Sequence, residues 1–327
     1  MNVKRSIAMK SLRNRMSLNR WFSALITTAC LLMCRPSVEA APKLWDHGVV
    51  YFEFDASLDS VDRNKMRSSM DRWSQSAVDV VFLPRNGLTT VPYVLITHDN
   101  SRGNYTSDPG QPSSVGSPRV NNYNDLGMGN NWFRLHELGH VLGFDHEMKR
   151  PDRNTYLALQ YANINPTDVV QYDPTTSDMI YDTSVFPFCF ESIMMYAQCN
   201  NTICNNCPND NNCPEGGINM KVLSPNESWQ NQLGTDGWNS STSQLPDCDI
   251  DRLVSAYGSG SVRYVDKNDG GDALGTLRDP YTSFDQALTG APLGARVYLD
   301  GDNYEPTNQL HRAMQLRAYP NTTATIR

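Results

Sequence analysis

The segment that most constrains this chain reads His-Glu-Leu-Gly-His-Val-Leu-Gly-Phe-Asp-His and begins at His136. His136 and His140 are four residues apart, so on a helix both side chains project from one face about one turn apart. Gly143 can adopt the positive φ that ends a helix and reverses the chain, which brings His146 toward the same point. The spacing therefore predicts a helix, a tight turn and three imidazoles around one metal ion.

Three protein ligands are typical of a catalytic zinc site, because such a site keeps a fourth position open for water. Zinc lowers the pKa of that water to about 7, and the adjacent Glu137 is then available as the base that takes its proton. We therefore expect one Zn²⁺ ion as the cofactor. The expected function is that of a zinc peptidase that acts on protein or peptide substrates.

The first forty residues have the pattern of a secretory signal peptide. Basic residues precede an apolar run from Trp21 to Met33, and Val38-Glu39-Ala40 resembles a cleavage site. The run is shorter than the roughly 20 residues that span a bilayer, so a membrane anchor is the less favoured interpretation. A lipid-modified Cys30 is also less favoured, because the Thr-Thr-Ala before it fits such a site poorly. We expect residues 1–40 to be removed and the protein to be secreted, without stable membrane insertion.

Charge and length limit the remaining choices. Residues 1–40 carry seven Lys or Arg and one Glu, so their removal changes the formal net charge from −7 to −13. Such an acidic chain is unsuited to nucleic acid and to anionic membranes, and we expect neither as a partner. The length of 327 residues accommodates a catalytic domain over residues 41–258 and a smaller segment over residues 259–327.

An even number of cysteines follows residue 40, and in an exported chain this predicts disulfides, here three. Sequence alone leaves their pairing open. The spacing Cys204-x-x-Cys207 could instead belong to a structural metal site, although the polar residues around it favour a loop held by disulfides. The cysteines concerned are Cys189, Cys199, Cys204, Cys207, Cys213 and Cys248.

Hydrophobic periodicity predicts an α+β domain with a twisted mixed sheet and an active-site helix. Alternating apolar residues indicate strands, and apolar residues at three- and four-residue steps, preceded by Asp59 or Ser60 as a cap, indicate a helix. A segment rich in Gly, Pro, Ser and Asp predicts a loop over residues 101–118. The predicted elements are strands at 49–54, 78–83 and 91–97 and a helix at 61–76.

Beyond the metal motif the sequence resembles the astacin family of metzincin zinc endopeptidases. The resemblance rests on Phe144 and Glu147 around the third histidine and on a downstream Ser-Ile-Met-Met-Tyr segment that ends at Tyr196, and it covers residues 43–258. It also includes Arg150, Asp152, Arg153, the Ser114-Val115-Gly116 region as a substrate-binding edge, and a closing helix from Asp249 to Tyr257.

The resemblance assigns roles to two further residues. It implies that Met194 lies in a tight turn beneath the metal. It also implies that Tyr196 is an additional metal ligand at rest and then swings away to hydrogen-bond the tetrahedral intermediate, where a phenol would stabilise the oxyanion.

The chain departs from the family pattern at several points. Residues 41–135 contain no cysteine, although the usual disulfides need cysteines there, and Met195 and Asn154 replace the family's usual His and Asp. The short lead-in after residue 40 leaves no room for the family's propeptide, so we expect export without a zymogen lock. For the same reason we expect Glu147 to orient His146 or cap its loop rather than hold the mature amino terminus.

Residues 259–327 resemble the opening of a right-handed parallel β-helix of the pectin-lyase type. Predicted strands lie at 262–265, 297–299, 314–316 and 325–326, with a small helix at 283–288. These supply about two rungs, fewer than a free solenoid needs, so the segment either docks on the protease domain or continues in longer relatives. An unrelated β-rich appendage is the alternative.

Two functions remain open from the sequence. One is a secreted zinc endopeptidase. The other is an exported binding or adhesion protein whose metal domain is a scaffold and whose C-terminal segment contacts glycan or the cell surface. The intact Glu137 favours the enzyme, because a scaffold has no need of a base beside its metal.

Overall fold

The computed structural model describes residues 43–76, 78–174, 180–200, 217–234, 244–307 and 313–326. The predicted signal peptide lies outside the described residues, as do Cys204, Cys207 and Cys213. Residues 41–327 cluster as one compact unit. Among the described residues, no helix combines the length and apolar character needed to cross a membrane.

A five-stranded sheet underlies the catalytic part of the chain. Its strands are β1 (Val49–Phe54), β2 (Val81–Pro84), β3 (Val94–His98), β4 (Tyr105–Thr106) and β5 (Arg119–Tyr123). They lie in the order β2-β1-β3-β5-β4, and only β4, at one edge, runs antiparallel to its neighbour. The predicted mixed sheet is confirmed, but β4 and β5 were not predicted, because β4 lies within the segment predicted as a loop and β5 contains two Asn residues, which are rare in strands.

Two helices pack on this sheet. The first, α1 (Ser60–Gln75), begins at Asp59, whose carboxylate accepts a hydrogen bond from the Asp62 amide at 2.8 Å. Its apolar stripe is buried in the core, as predicted from the spacing of Met66, Met70 and Trp73. After the short α2 (Asp125–Gly129), the metal-motif helix α3 (Asn131–Val141) packs against α1.

The described residues that follow α3 in the catalytic region have little regular structure. Strand β6 (Leu157–Leu159) pairs antiparallel with β7 (Met220–Val222), and helix α4 (Asp247–Tyr257) closes the region. A disulfide joins Cys189 to Cys248 at the start of α4, and Cys199 is also disulfide-bonded. Short 3₁₀ helices span Asp46–Gly48, Glu147–Lys149, Arg153–Thr155, Tyr161–Asn163, Val169–Tyr172 and Glu227–Gln232.

The C-terminal segment contains parallel strands. Strands β8 (Val262–Val265), β9 (Arg296–Leu299) and β11 (Gln315–Ala318) form one sheet in the order β11-β9-β8, while β10 (Asn303–Tyr304) pairs with β12 (Thr325–Ile326). Helix α5 (Phe284–Gly290) lies between β8 and β9 and begins with a capping box.

The segment shares its core with the catalytic part. Tyr264, Tyr298 and Tyr319 belong to the same buried cluster as Trp73 of α1. The carboxylate of Asp71, also on α1, accepts the backbone amides of residues 277 and 278 at 2.7 and 2.9 Å. The segment therefore docks on the catalytic part through these contacts.

Candidate metal centre

Helix α3 and the turn after it bring the three motif histidines together. His136 and His140 lie one turn apart on α3, and the amide of Phe144 closes the helix on the Gly139 carbonyl at 3.1 Å. Gly143 has a φ of 106°, the positive value expected from its place in the motif. The chain then reverses, and His146 faces the other two rings.

The nitrogen positions fit a tetrahedral metal ion. The Nε2 atom of His146 lies 3.2 Å from Nε2 of His136 and 3.2 Å from Nε2 of His140. A zinc ion with Zn–N bonds of about 2.0–2.1 Å and tetrahedral angles places its ligand nitrogens about 3.3–3.4 Å apart. The three buried histidines therefore form a group able to hold one metal ion.

Hydrogen bonds fix the ring tautomers of two ligands. The Nδ1 atoms of His136 and His140 lie 2.7 and 2.8 Å from the carbonyl oxygens of Ile193 and Phe144. A carbonyl only accepts, so each Nδ1 carries the proton and each Nε2 presents a lone pair to the centre. Burial lowers the pKa of His136 to about 3 and also lowers the pKa values of His140 and His146, which favours the neutral, metal-binding form.

Aromatic rings enclose the centre. Trp132 stacks on His136 with a centroid distance of 4.7 Å, and the ring of Tyr196 lies 4.4 Å from that of His146. Burial raises the pKa of Tyr196, so its phenol keeps the proton that it would donate. Trp132 was not singled out in the sequence, because an aromatic residue at helical spacing is typical of core packing.

Met194 lies directly beneath α3. A Cβ atom added to Gly139 would lie 2.6 Å from the Met194 sulfur, so the helix approaches this methionine as closely as only glycine permits. The Met194 carbonyl accepts the amide of Glu147 at 3.0 Å. The turn predicted around Met194 is therefore bonded to the segment that carries the third histidine.

Glu137 is buried beside the three histidines, with 5 % of its surface exposed. Its Oε2 accepts a hydrogen bond from the Thr106 hydroxyl on edge strand β4 at 3.0 Å. Burial raises the pKa of Glu137 to about 8, although its hydrogen bonds with Thr106 act in the opposite direction. The Ser114-Val115-Gly116 region, for which the resemblance implies a substrate-binding edge, lies in an exposed turn, and the sheet edge next to Glu137 is β4.

A buried set of charged side chains lies behind the histidines, and we call it the Glu147 network. The Glu147 carboxylate accepts both terminal nitrogens of Arg252 at 2.9 and 2.8 Å and the Tyr181 hydroxyl at 2.7 Å. Its contact with Arg150 measures 3.3 Å. The carboxylate also accepts the Cys189 amide at 2.7 Å, so its partners among the described residues are arginine side chains, a phenol and a backbone amide. The network comprises Glu147, Arg150, Tyr181, Asp249 and Arg252.

Asp249 connects this network to a metal ligand. Its carboxylate accepts the Ser192 hydroxyl and the Ile193 amide, both at 2.7 Å. The Ile193 carbonyl in turn accepts the Nδ1 proton of His136. Neither Arg252 nor Tyr181 was predicted, because nothing in their local sequence indicates a partner that is distant along the chain.

Comparisons with known proteins agree with this geometry. The family model described as Astacin, a family of peptidases, matches residues 37–208. Zinc metalloproteinase nas-31 of Caenorhabditis elegans is 39% identical over 82 residues, 24% of this chain and 13% of that protein. The bone morphogenetic protein 1 homolog of Strongylocentrotus purpuratus is 29% identical over 170 residues, 50% of this chain and 25% of that protein. The chain therefore spans only a minor part of the length of these relatives.

A solved structure shows the same fold. High choriolytic enzyme 1, a hatching enzyme zinc-protease from the medaka fish Oryzias latipes, superposes with a TM-score of 0.52 at 18% sequence identity. The match covers 69% of this chain and 98% of that one. The expected α+β fold is confirmed by this likeness.

Proposed function

Because the chain belongs to the astacin family of peptidases, whose model covers residues 37–208, we propose that it is a zinc-dependent endopeptidase. It hydrolyses peptide bonds in protein or peptide substrates. The observation that carries this proposal is the convergence of three Nε2 atoms, spaced for one zinc ion, beside the buried carboxylate of Glu137. The alternative of an exported binding protein has no comparable support in the site.

Each side chain of the site has a role in this reaction. His136, His140 and His146 would hold Zn²⁺, which would supply a Lewis acid for the scissile carbonyl and for water. Glu137 takes the proton of the attacking water and delivers it to the leaving amine. The Tyr196 phenol, which lies against His146, donates a hydrogen bond to the oxygen that gains charge.

A single substitution tests the proposal. Glu137→Ala removes the base, and we expect casein or gelatin hydrolysis to fall by about 10² to 10⁴-fold while zinc still binds. Glu227→Ala, at an exposed glutamate of a 3₁₀ helix, is the control and should cleave at the wild-type rate. Equal hydrolysis by wild type and Glu137→Ala would refute the mechanism.

We also propose that the chain is exported and that residues 259–327 form the start of a β-helix. The parallel neighbours β8, β9 and β11 support the second point, since successive rungs of such a helix pair in this manner. Contact of this segment with glycan or a cell surface stays a prediction. Amino-terminal sequencing of protein secreted by an expressing cell tests the first point, and we expect it to begin at Ala41.

A further inference from the structure

We propose that Thr106, supported by Asn121, is a positioning residue that holds the Glu137 carboxylate in its working orientation. The inference rests on the proposed function and extends it to two residues of the sheet. Thr106 lies on the edge strand β4 and Asn121 is its partner on β5. Neither residue belongs to the metal motif.

The Thr106 hydroxyl has one proton to donate and two acceptors on Glu137 within reach. The Asn121 side-chain amide donates to Thr106 Oγ1 at 2.8 Å, so the hydroxyl already accepts one bond and its single proton is left to donate. That oxygen lies 3.0 Å from Glu137 Oε2 and 2.9 Å from the Glu137 carbonyl. The Glu137 carbonyl also accepts a hydrogen bond from the Asn121 side-chain amide at 3.3 Å, whereas the described partner of the carboxylate is Thr106.

In the described part of the chain, the Glu137 carboxylate is bonded by the Thr106 hydroxyl and by the Thr106 backbone, and the hydroxyl is the side-chain contact that a substitution can remove. Burial removes water that would compete for this bond, so the contact with Thr106 is stronger than the same contact at the surface. The hydroxyl bond to Oε2 ties this carboxylate to the edge strand and so limits its rotation. A misplacement of about 1 Å at a reacting group can slow a reaction by about 10²-fold, so this constraint matters for the rate.

Three variants separate positioning from general damage. Thr106→Val removes the hydroxyl at nearly constant volume, and we expect kcat to fall about 10- to 100-fold with KM changed less than about twofold. Thr106→Ser keeps the hydroxyl and should restore kcat to within about threefold. Thr97→Val is the matched control, because the Thr97 hydroxyl bonds Asn122 at 2.6 Å on the same sheet without touching Glu137; its kcat should equal that of wild type.

Several results would overturn the inference. These are a wild-type kcat in Thr106→Val, a Thr106→Ser variant as slow as Thr106→Val, or a loss of kcat that parallels a loss of zinc affinity. The dissociation constant for zinc alone, measured by competition with a chromogenic chelator, should change less than about twofold in all three variants, since none of these side chains is a metal ligand.

A readout without activity uses the zinc-free protein. Thr106→Val, Glu137→Ala and the double variant form a double-mutant cycle. The unfolding equilibrium constant of the double variant should differ by about threefold or more from the value that the two single variants predict together. Thr97→Val with Glu137→Ala should be additive. If the effects of Thr106→Val and Glu137→Ala on unfolding are additive while the wild type is active, the positioning role is overturned and the proposed function is not. If the effects are non-additive but the wild type hydrolyses no substrate, the proposed function is overturned. The contact between Thr106 and Glu137 would then have no catalytic role.

Discussion

The histidine cluster and the Glu147 network are both buried and polar, yet their charges are balanced in different ways. In the network, the Glu147 and Asp249 carboxylates both contact Arg252, while Arg150 contacts Glu147 and also pairs with Asp152 at its edge. In the cluster, the outer ring nitrogens of His136 and His140 are bonded to carbonyls, while their inner lone pairs face His146. We call the Glu147 network closed, because its charged groups are paired with one another. We call the histidine cluster open, because its inner lone pairs are free to bind a cation.

The two clusters are also connected. Ile193 accepts from the ring of His136 through its carbonyl and donates to Asp249 through its amide. The amide of Glu147 is bonded to the next residue, Met194. The closed network therefore fixes the turn that orients the open cluster, and perturbing each cluster separately should give distinguishable effects.

The largest effect is expected when the closed network is broken. Arg252→Met leaves the Glu147 carboxylate, 1 % exposed, without its two-nitrogen partner. Removing one partner of a buried pair costs about 3–5 kcal/mol, so the free energy of unfolding should fall by that amount in urea titrations. Arg102→Met, at a side chain 61% exposed, is the control and should change it by less than about 0.5 kcal/mol.

The double variant Arg252→Met with Glu147→Gln sharpens this result. Because it removes the charge that Arg252→Met leaves unpaired, it should recover part of the lost stability. If Arg252→Met unfolds no more easily than Arg102→Met, then the network is not a source of stability and the contrast with the histidine cluster fails.

Removing a histidine should lower zinc affinity strongly and change the unfolding free energy little. His140→Gln deletes one inward lone pair, and we expect zinc affinity to fall by more than about 100-fold, beyond the loss usual for changes outside the ligand set. The unfolding free energy of the zinc-free protein should change by about 1 kcal/mol or less, since no charge is left unpaired. Equilibrium dialysis and urea titration measure the two quantities, and a loss of zinc-free stability equal to that of Arg252→Met would contradict the distinction.

This contrast also explains what the sequence could predict. The histidine cluster is local, since its members span one helix and one turn, and their spacing alone predicts convergence. The Glu147 network is not local: Glu147 and Arg252 are separated by 105 residues, and a lone arginine in an amphipathic helix is typical of a solvated face. Strand β1 and helix α1 were predicted because their apolar residues recur at the period of a strand or a helix. Strand β5 was not predicted, because its buried residues Asn121 and Asn122 are polar.

The smallest effect concerns which carboxylate of the network carries charge. Burial raises the pKa of Asp249 to about 6, although Arg252 and the bonds from residues 192 and 193 act to lower it. A raised pKa in the folded state means that the folded protein holds a proton more tightly than the unfolded chain. The stability that Asp249 contributes is therefore present at low pH and is lost as the pH rises through about 6.

Asp249→Asn removes this titration. The unfolding free energy of wild type minus that of Asp249→Asn should decrease by about 1 kcal/mol between about pH 5 and pH 8. Asp251→Asn, at an exposed carboxylate of the same helix, serves as the reference variant in the same buffers. A difference that instead increases with pH would show that Arg252 keeps Asp249 ionised. The network would then pair charge at both of its carboxylates, and its contrast with the uncharged histidine cluster would be sharper still.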